Sequence, residues 1–473
     1  MDKRKCWWLL GIIGLWVTIT LVRLAYHQPW YDEAHAYILT QNLSILELVA
    51  EMKSEGHLLV WYLLIMPFAK LKLWYPYPMQ IINWLCAFGT ILIIWKKAPF
   101  HPITKTIVTF SYPFICCLPV LARCYAVGVL LIFMIASLYY KSLKHPIIYS
   151  VLILLCANTS IMALFGAAAF GFVFAYDLIK AALKDEISKK NFRIAFLVLA
   201  ASAILVLWQI GGTVNSVAEY NHDFIHSFLQ VVFGYDYYYA KSKLIVFVFF
   251  SIIALTILYT PIILFKKNKK VLFIWIFALT SMIFCFVTKY TGDSWHYIFF
   301  WVYAMVCYWM LIDSEKSKTK LMIVSEIVLV LFFSIQLVSR ADKFSNVYFS
   351  NSKNTYNKLV SNIKPNSRII ITKHRMFESV VPYFENNNIE IYSYKNAQPF
   401  VNGSFIYDEL ISDTDNNLYL SWLVKSIADN KENYIIMLSS DDRLVVKNKY
   451  HSISLEKIVN LNSNISLYYI IKN

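Results

Sequence analysis

PWYDEAHAYILTQNLSILELVAEMKSEGH, residues 29–57, is the stretch on which the reading of this chain turns. It follows the first apolar segment, and its carboxylate pair, Asp32-Glu33, stands just beyond that segment's end. His35 and Tyr37 follow on what the pattern predicts to be a short helix. Ser44-x-x-Glu47 is a capping box opening a second helix, whose Ile45, Leu46, Leu48, Val49 and Met52 suit a position in a membrane interface. Glu55-Gly56-His57 then leads into a long apolar run from Leu58. Taken alone, Asp32 reads plainly as a helix N-terminal carboxylate answering the dipole. Two acids beside Trp30 and Tyr31 at a membrane boundary are costly unless used or hydrated, which makes the pair a candidate for chemistry.

Working outward, the composition sets the class. Of 473 residues, 58% are hydrophobic, 17% aromatic and only 15% charged, and the mean hydropathy is +0.52. These values suit a polytopic α-helical membrane protein and exclude an ordinary soluble fold. The net charge of +15 does not indicate nucleic acid, because the basic residues fall mainly in short loops between apolar segments. All eight cysteines lie in or beside apolar segments without metal-type spacing, so buried thiols are expected rather than disulfides or zinc. Met1 to Lys5 followed by an apolar run ending at Arg23 reads as an uncleaved signal-anchor.

Apolar segments occupy roughly 6–26, 58–95, 103–118, 121–140, 146–157, 160–180, 192–211, 243–265, 271–288, 295–312 and 320–338. Basic clusters at Lys96/Lys97/Lys105, Lys141/Lys144, Lys184 to Arg193, Lys266 to Lys270 and Lys316 to Lys320 mark every second connection as cytoplasmic. With Met1 inside, 29–57, Arg123, Asn158, 212–242, 289–294 and everything after 340 fall outside. This alternation needs an odd number of crossings between His57 and Lys96. It is met if 58–73 is a shallow or re-entrant helix and 79–95 the true span, giving about eleven crossings. The expected organisation is a membrane domain over 1–340, with a first outer loop at 27–57 and a long outer loop at 212–242, followed by an extracytoplasmic α/β domain over 341–473.

In that last region the composition turns to Asn, Lys, Ser and Asp. Strands are predicted at 369–371, 390–392, 404–407, 434–437 and 467–470, with helical periodicity at 377–387 and 418–430. No P-loop or GxGxxG occurs, so neither ATP nor a dinucleotide is indicated.

Asp32-Glu33 in the first outer loop, Glu55-Gly56-His57 at the next apolar entrance and Ala122-Arg123-x-Tyr125-Ala126 opening an outer helix resemble the GT-C superfamily of integral membrane glycosyltransferases. The likeness is greatest to its protein mannosyltransferase and aminoarabinose transferase branch, although Leu58-Leu59 follows His57 where that branch carries two prolines. The long outer loop and the extracytoplasmic C-terminal domain agree with the superfamily plan. The resemblance implies a hexosyl or pentosyl transferase using a polyprenyl-phosphate sugar donor and a glycan, lipid or protein acceptor. Phosphate leaves readily, so the reaction needs one carboxylate to take the acceptor's proton and a cation to stabilise the leaving phosphate. Asp32 is the expected base, with inversion at the anomeric carbon. Glu33 either orients the acceptor or holds Asp32.

Arg123 is the first candidate for the phosphate cation because its planar fork grips oxygens bidentately, the plain alternative being a snorkelling side chain. Lys289 and His296 are further candidates, and Lys241 and Lys243 suit lipid headgroups. His57 has four readings: donor phosphate, acceptor, metal, or a hydrogen bond capping the re-entrant helix. Trp30, Tyr31, Glu55 and Tyr125 complete the expected substrate contacts. His222 and His226 stand at metal-ligand spacing but lack an evident third ligand, and solvated loop residues are the better reading. No cofactor is indicated; divalent metal use varies across the superfamily and stays open. The run 235–239 suits sugar stacking or interfacial anchoring equally. The Lys-, Ile- and Asn-rich chain suits a bacterial inner membrane, while N-x-S/T sequons at Asn42, Asn158, Asn402 and Asn464 keep an endoplasmic reticulum setting open. Two other classes compete: a flippase or transporter with gating carboxylates, and a non-catalytic envelope-assembly partner. The charges gather at one face and no internal repeat occurs, which favours an enzyme.

Overall fold

The structure, a computed structural model, describes residues 3–211 apart from 54 and 56, 248, 268–289, 292, 294–314, isolated positions from 320 to 334, and 350–371, 379–384, 389–393, 433–437, 453–461 and 466–472. The expectations for 212–242, nearly all of 243–265, Asp293, much of 320–338, 404–407 and 418–430 lie outside these residues. The chain divides into two compact units. One holds Met1–Tyr26, Val49–Leu64 and Met79–Val347; the other holds His27–Leu48, Ile65–Pro78 and Tyr348–Asn473.

Seven described helices are long and apolar enough to cross a membrane, and with the two-unit plan they make this a polytopic helical membrane protein carrying an α/β sheet domain. In the first unit these are α1 (Lys3–Tyr26), α5 (Tyr77–Lys97), α7 (Cys124–Leu138, continued by a 3₁₀ turn to Lys141), α9 (Ile161–Leu183), α10 (Lys189–Ile210), α11 (Lys269–Thr288) and α12 (Ser294–Ser314). Their ends follow local chemistry. Ser160, Ser188 and Asn268 cap α9, α10 and α11 by accepting from Ala163, Asn191 and Val271 N–H groups.

Between them, α4 (Leu59–Lys70) and α8 (Pro146–Ala157) have 12 residues each, about 18 Å at 1.5 Å per residue and short of a membrane's ~30 Å core. Of the two helices in 58–95, α5 alone has spanning length.

Apolar run 103–118 is not one helix. It forms α6 (Pro102–Thr109) and then a π-helical turn, Pro113–Cys117. Pro113 has no N–H to continue the ladder. Non-helical backbone is tolerated at membrane depth only when buried in protein, and here residues 111–127 are all buried. Trp16 Nε1 donates to Phe114 O at 2.8 Å and Asn83 Nδ2 to Leu118 O at 2.7 Å. This irregular stretch delivers Arg123 to the start of α7.

Two sets of contacts in this unit lie at opposite helix ends. One set joins the C-terminal ends of α5, α7 and α9 to their neighbours: Lys105 Nζ to Trp95 O (3.2 Å), Tyr140 OH to Met310 O (2.6 Å) and Lys270 Nζ to Asp177 Oδ1 (2.5 Å). The other joins the entrance to α4, the start of α7, the α8–α9 turn, the end of α10 and the start of α12.

In the second unit a five-stranded sheet has the order β2-β1-β3-β5-β4, with β1 (Arg368–Ile371), β2 (Glu390–Ser393), β3 (Asn433–Met437), β4 (Ile453–Asn460) and β5 (Ser466–Lys472). β1 pairs parallel with β2 and β3, and β5 pairs antiparallel with β3 and β4. Helix α13 (Ser352–Asn362) lays Leu359 into a core with Ile363, Ile369, Val380, Phe384, Leu461 and Leu467. Of the predicted helix at 377–387, the described part is a 3₁₀ turn, Val381–Phe384. The same unit contains α2 (Tyr31–Asn42); α3 (Ile45–Glu51) begins in it.

Candidate active site

The two candidate constellations belong to different units. In the second unit, Pro29 and the extended backbone of Trp30 stop the preceding chain, and α2 starts at Tyr31. Asp32 is half-buried in the first turn, as are Trp30 and Tyr31, whose rings meet edge to face at 4.6 Å. Glu33 is fully buried. Its Oε2 accepts the Trp30 N–H at 2.8 Å, and its two oxygens lie 2.9 and 3.1 Å from His27 Nε2. Both oxygens of Glu33 therefore touch His27, and one also closes the cap of α2. That capped turn is the one on which Asp32 stands. His27 was absent from the sequence expectations; its spacing, six residues ahead of Glu33 across a proline, offers no regular-period signal.

In the first unit, His57 is set in place by backbone. It forms an antiparallel bridge with Ser160, and Val60 N–H donates to Asn158 O at 2.8 Å. Leu59 N–H donates to Gln209 Oε1 at 3.0 Å, and Gln209 Nε2 to Asn158 Oδ1 at 2.7 Å. A polar Gln209 in the apolar α10 was a legible signal of such a role.

Arg123, the N-cap residue of α7, is 8% exposed, and its Nη2 donates to His57 Nε2. A guanidinium has only donors, so Nε2 is the acceptor and a neutral imidazole carries its proton on Nδ1. Nδ1 lies 3.4 Å from Cys124 Sγ. The guanidinium also stands 5.8 Å from the centre of the Tyr125 ring. Tyr125 OH pairs with His296 Nε2 at 2.8 Å, and its ring meets His57 at 5.7 Å and His296 at 5.2 Å. Glu55 Oε2 accepts from Tyr62 OH at 3.0 Å, and Arg123 acts electrostatically on the same tyrosine.

Glu55, His57, Arg123, Tyr125 and His296 are thus brought together from the α4 entrance, the start of α7 and the start of α12. Tyr62 and Cys124 join them without having been anticipated. Lys289 is the exposed residue closing α11, its N–H donating to Cys285 O at 2.9 Å. Lys241, Lys243, His222, His226 and 235–239 lie outside the described residues. Among the described residues no group of three or more His, Cys, Asp or Glu side chains has metal-binding geometry.

No family model matches the chain, and no curated protein sequence matches it. Among solved structures, the crystal structure of ArnT from Cupriavidus metallidurans in the apo state aligns over 99% of this chain and 98% of that one, with TM-score 0.59 and 9% sequence identity. The fold is GT-C-like. The expected class, a polytopic α-helical membrane protein with an α/β sheet domain, is the one observed.

On this GT-C-like frame the first-unit cluster offers a buried guanidinium with a fixed direction, since His57 and the Tyr125 ring both bear on it. Such a group can bind phosphate oxygens without reorganising as charge develops on them. In the second unit, a half-buried carboxylate on a capped helix turn can accept a proton from a hydroxyl.

Proposed function

We propose that the chain is a GT-C-type membrane glycosyltransferase that moves a sugar from a polyprenyl-phosphate donor to an envelope glycan, lipid or protein acceptor on the extracytoplasmic face. The observation that carries this reading is the convergence of Arg123, His57, Tyr125 and His296 at one end of a polytopic bundle, joined to the ArnT-like fold. The two sets of helix-end contacts support the topology: basic Lys105 and Lys270 engage one end, and the candidate cluster occupies the other.

In the proposed reaction Asp32 accepts the proton of an acceptor hydroxyl as its oxygen attacks the anomeric carbon. The bond to the polyprenyl phosphate breaks, and the configuration inverts. Arg123 stabilises the departing phosphate, with His57 aiming the guanidinium and Tyr125 and His296 walling the site. Trp30, Tyr31 and Glu55 contact substrate, and Lys289 remains a secondary candidate for the phosphate. The setting we propose is a bacterial inner membrane with a cytoplasmic N-terminus.

Purified protein in nanodiscs, given polyprenyl-phosphate sugars and envelope acceptors, tests this. Wild type is expected to turn over, and Asp32→Asn to lose at least about a hundredfold in kcat. Equal turnover by both would remove Asp32 as the base, and substrate translocation without transfer would favour a carrier.

A further inference from the structure

Gln28 lies between α1 and α2, four residues before Asp32, and is buried. Its Oε1 accepts from the backbone N–H of Lys353 at 2.9 Å and of Asn354 at 3.3 Å, the second and third residues of α13. First-turn N–H groups of this kind are normally satisfied by an N-cap side chain. Asn351, at the N-cap of α13, makes no such bond. The cap comes instead from the segment leading into α2, more than 320 residues earlier in the chain.

The bonding is reciprocal. Ser350 Oγ donates to Pro29 O at 2.6 Å and lies 3.1 Å from Gln28 O, so the residue just ahead of α13's N-cap holds the carbonyls just ahead of Trp30. An aromatic chain runs alongside. Tyr37 of α2 meets Tyr75 at 4.8 Å, Tyr75 meets Tyr383 at 5.0 Å, and Tyr383 stacks on Tyr356 of α13 at 5.4 Å. Tyr356 then meets Phe384 of the sheet domain's core at 4.9 Å. Burial raises the Tyr383 hydroxyl above the usual phenol range, and Tyr77 and Glu33 add to that, in keeping with the ring contacts that join Tyr383 to α2 through Tyr75.

We propose that Gln28 and Ser350 are positioning residues through which the C-terminal domain fixes the start of α2 and so the place of Asp32. This rests on the assignment of Asp32 as the base. It gives the C-terminal domain a part in the reaction that needs no binding site of its own. A base displaced by about 1 Å loses on the order of a hundredfold in rate, whereas binding of the donor through Arg123 does not depend on that turn.

The experiment uses the full chain in nanodiscs and compares wild type, Gln28→Ala, Gln28→Glu and Ser350→Ala. Gln28→Ala is expected to lower kcat by about 10- to 100-fold with donor KM unchanged. Gln28→Glu, which keeps an acceptor oxygen over α13, is expected to retain wild-type kcat. Hydrogen exchange at Lys353 and Asn354 and across 31–42 is read in the same samples. Loss of the Gln28 cap is expected to speed it about fivefold at Lys353 and Asn354 in Gln28→Ala. Loss of the tie ahead of Trp30 is expected to speed it about fivefold across 31–42 in Gln28→Ala and Ser350→Ala. Wild-type kcat and exchange in Gln28→Ala would overturn the proposal, as would equal losses in Gln28→Ala and Gln28→Glu. If wild type transfers no sugar, the glycosyltransferase reading fails by itself, and the exchange rates alone decide whether the clamp holds α2.

Discussion

Replacing Arg123 with alanine removes the cation we assign to the leaving phosphate, and its cost can be sized from the structure. Arg123 is 8% exposed and bears on His57 and the Tyr125 ring, so its charge acts through a medium less screening than water. A unit charge about 4 Å from a phosphate oxygen at an effective dielectric near 20 is worth about 4 kcal/mol. That corresponds to roughly 10³ in rate if the whole term is realised in the transition state. Water entering the vacated space recovers part of it, so a loss of about 10²- to 10³-fold in kcat/KM is expected. Arg123→Lys keeps the charge but loses the planar fork, and should fall between wild type and alanine. Initial-rate assays with a polyprenyl-phosphate sugar over a range of donor concentrations measure this. If Arg123→Ala kept more than about a third of wild-type kcat/KM, or Arg123→Lys were indistinguishable from wild type, the phosphate role would be refuted.

Other expectations test the scaffold. Glu33→Ala removes one partner of a fully buried pair, which costs about 3 kcal/mol by analogy with broken buried pairs. A double-mutant cycle with His27→Ala, read by thermal unfolding in detergent, should show the two costs to be strongly non-additive. Gly166→Ala drives a Cβ into the Tyr303 ring, whose hydroxyl is fixed by Gly166 N–H and Met162 O; overpacking should cost about 1–3 kcal/mol of stability in the same measurement. Glu47 accepts the Ser44 N–H at 2.8 Å, and that bond holds its carboxyl below the usual glutamate range. Its contribution to α3 is therefore present above the ordinary glutamate pKa and is lost as pH falls through the lowered value. Corrected for the intrinsic exchange rate at each pH, amide protection at the start of α3 should fall on acidification in wild type and stay level with pH in Glu47→Gln.

Much of the fold was legible because membrane spans announce themselves by length and apolarity, and because β1, β2, β3 and β5 are short runs rich in Ile and Tyr. β4 was missed for a physical reason. Its register shifts between Lys457 and Val459, and the bulge leaves Ile458 among the exposed residues, so the period of two that marks a strand is broken midway. Run 103–118 looked continuous because hydrophobicity does not report that Pro113 interrupts the ladder. The carbonyls of Phe114 and Leu118 beyond it accept from Trp16 and Asn83, partners set by tertiary structure.

The site shows the same division between residue identity and residue placement. Arg123, His57, Tyr125, His296 and Glu55 stand out in sequence as polar groups at apolar boundaries, because such groups are expensive at a membrane edge. It does not separate a phosphate ligand from an arginine that only snorkels. A snorkelling side chain keeps its head in water. In the structure Arg123 is 8% exposed, with its guanidinium turned onto His57 and Tyr125, while His57 is itself pinned by the Ser160 bridge. That placement depends on backbone bonds between segments about a hundred residues apart, which local periodicity cannot encode. Gln28 illustrates the limit from the other side. Nothing in its neighbours marks it as a helix cap, because the helix it caps begins at Ser352. A residue whose work is done on a distant segment becomes visible only when the two are brought together, and for that reason the kcat expected of Gln28→Ala is more informative about this protein's organisation than any substitution within the acidic pair.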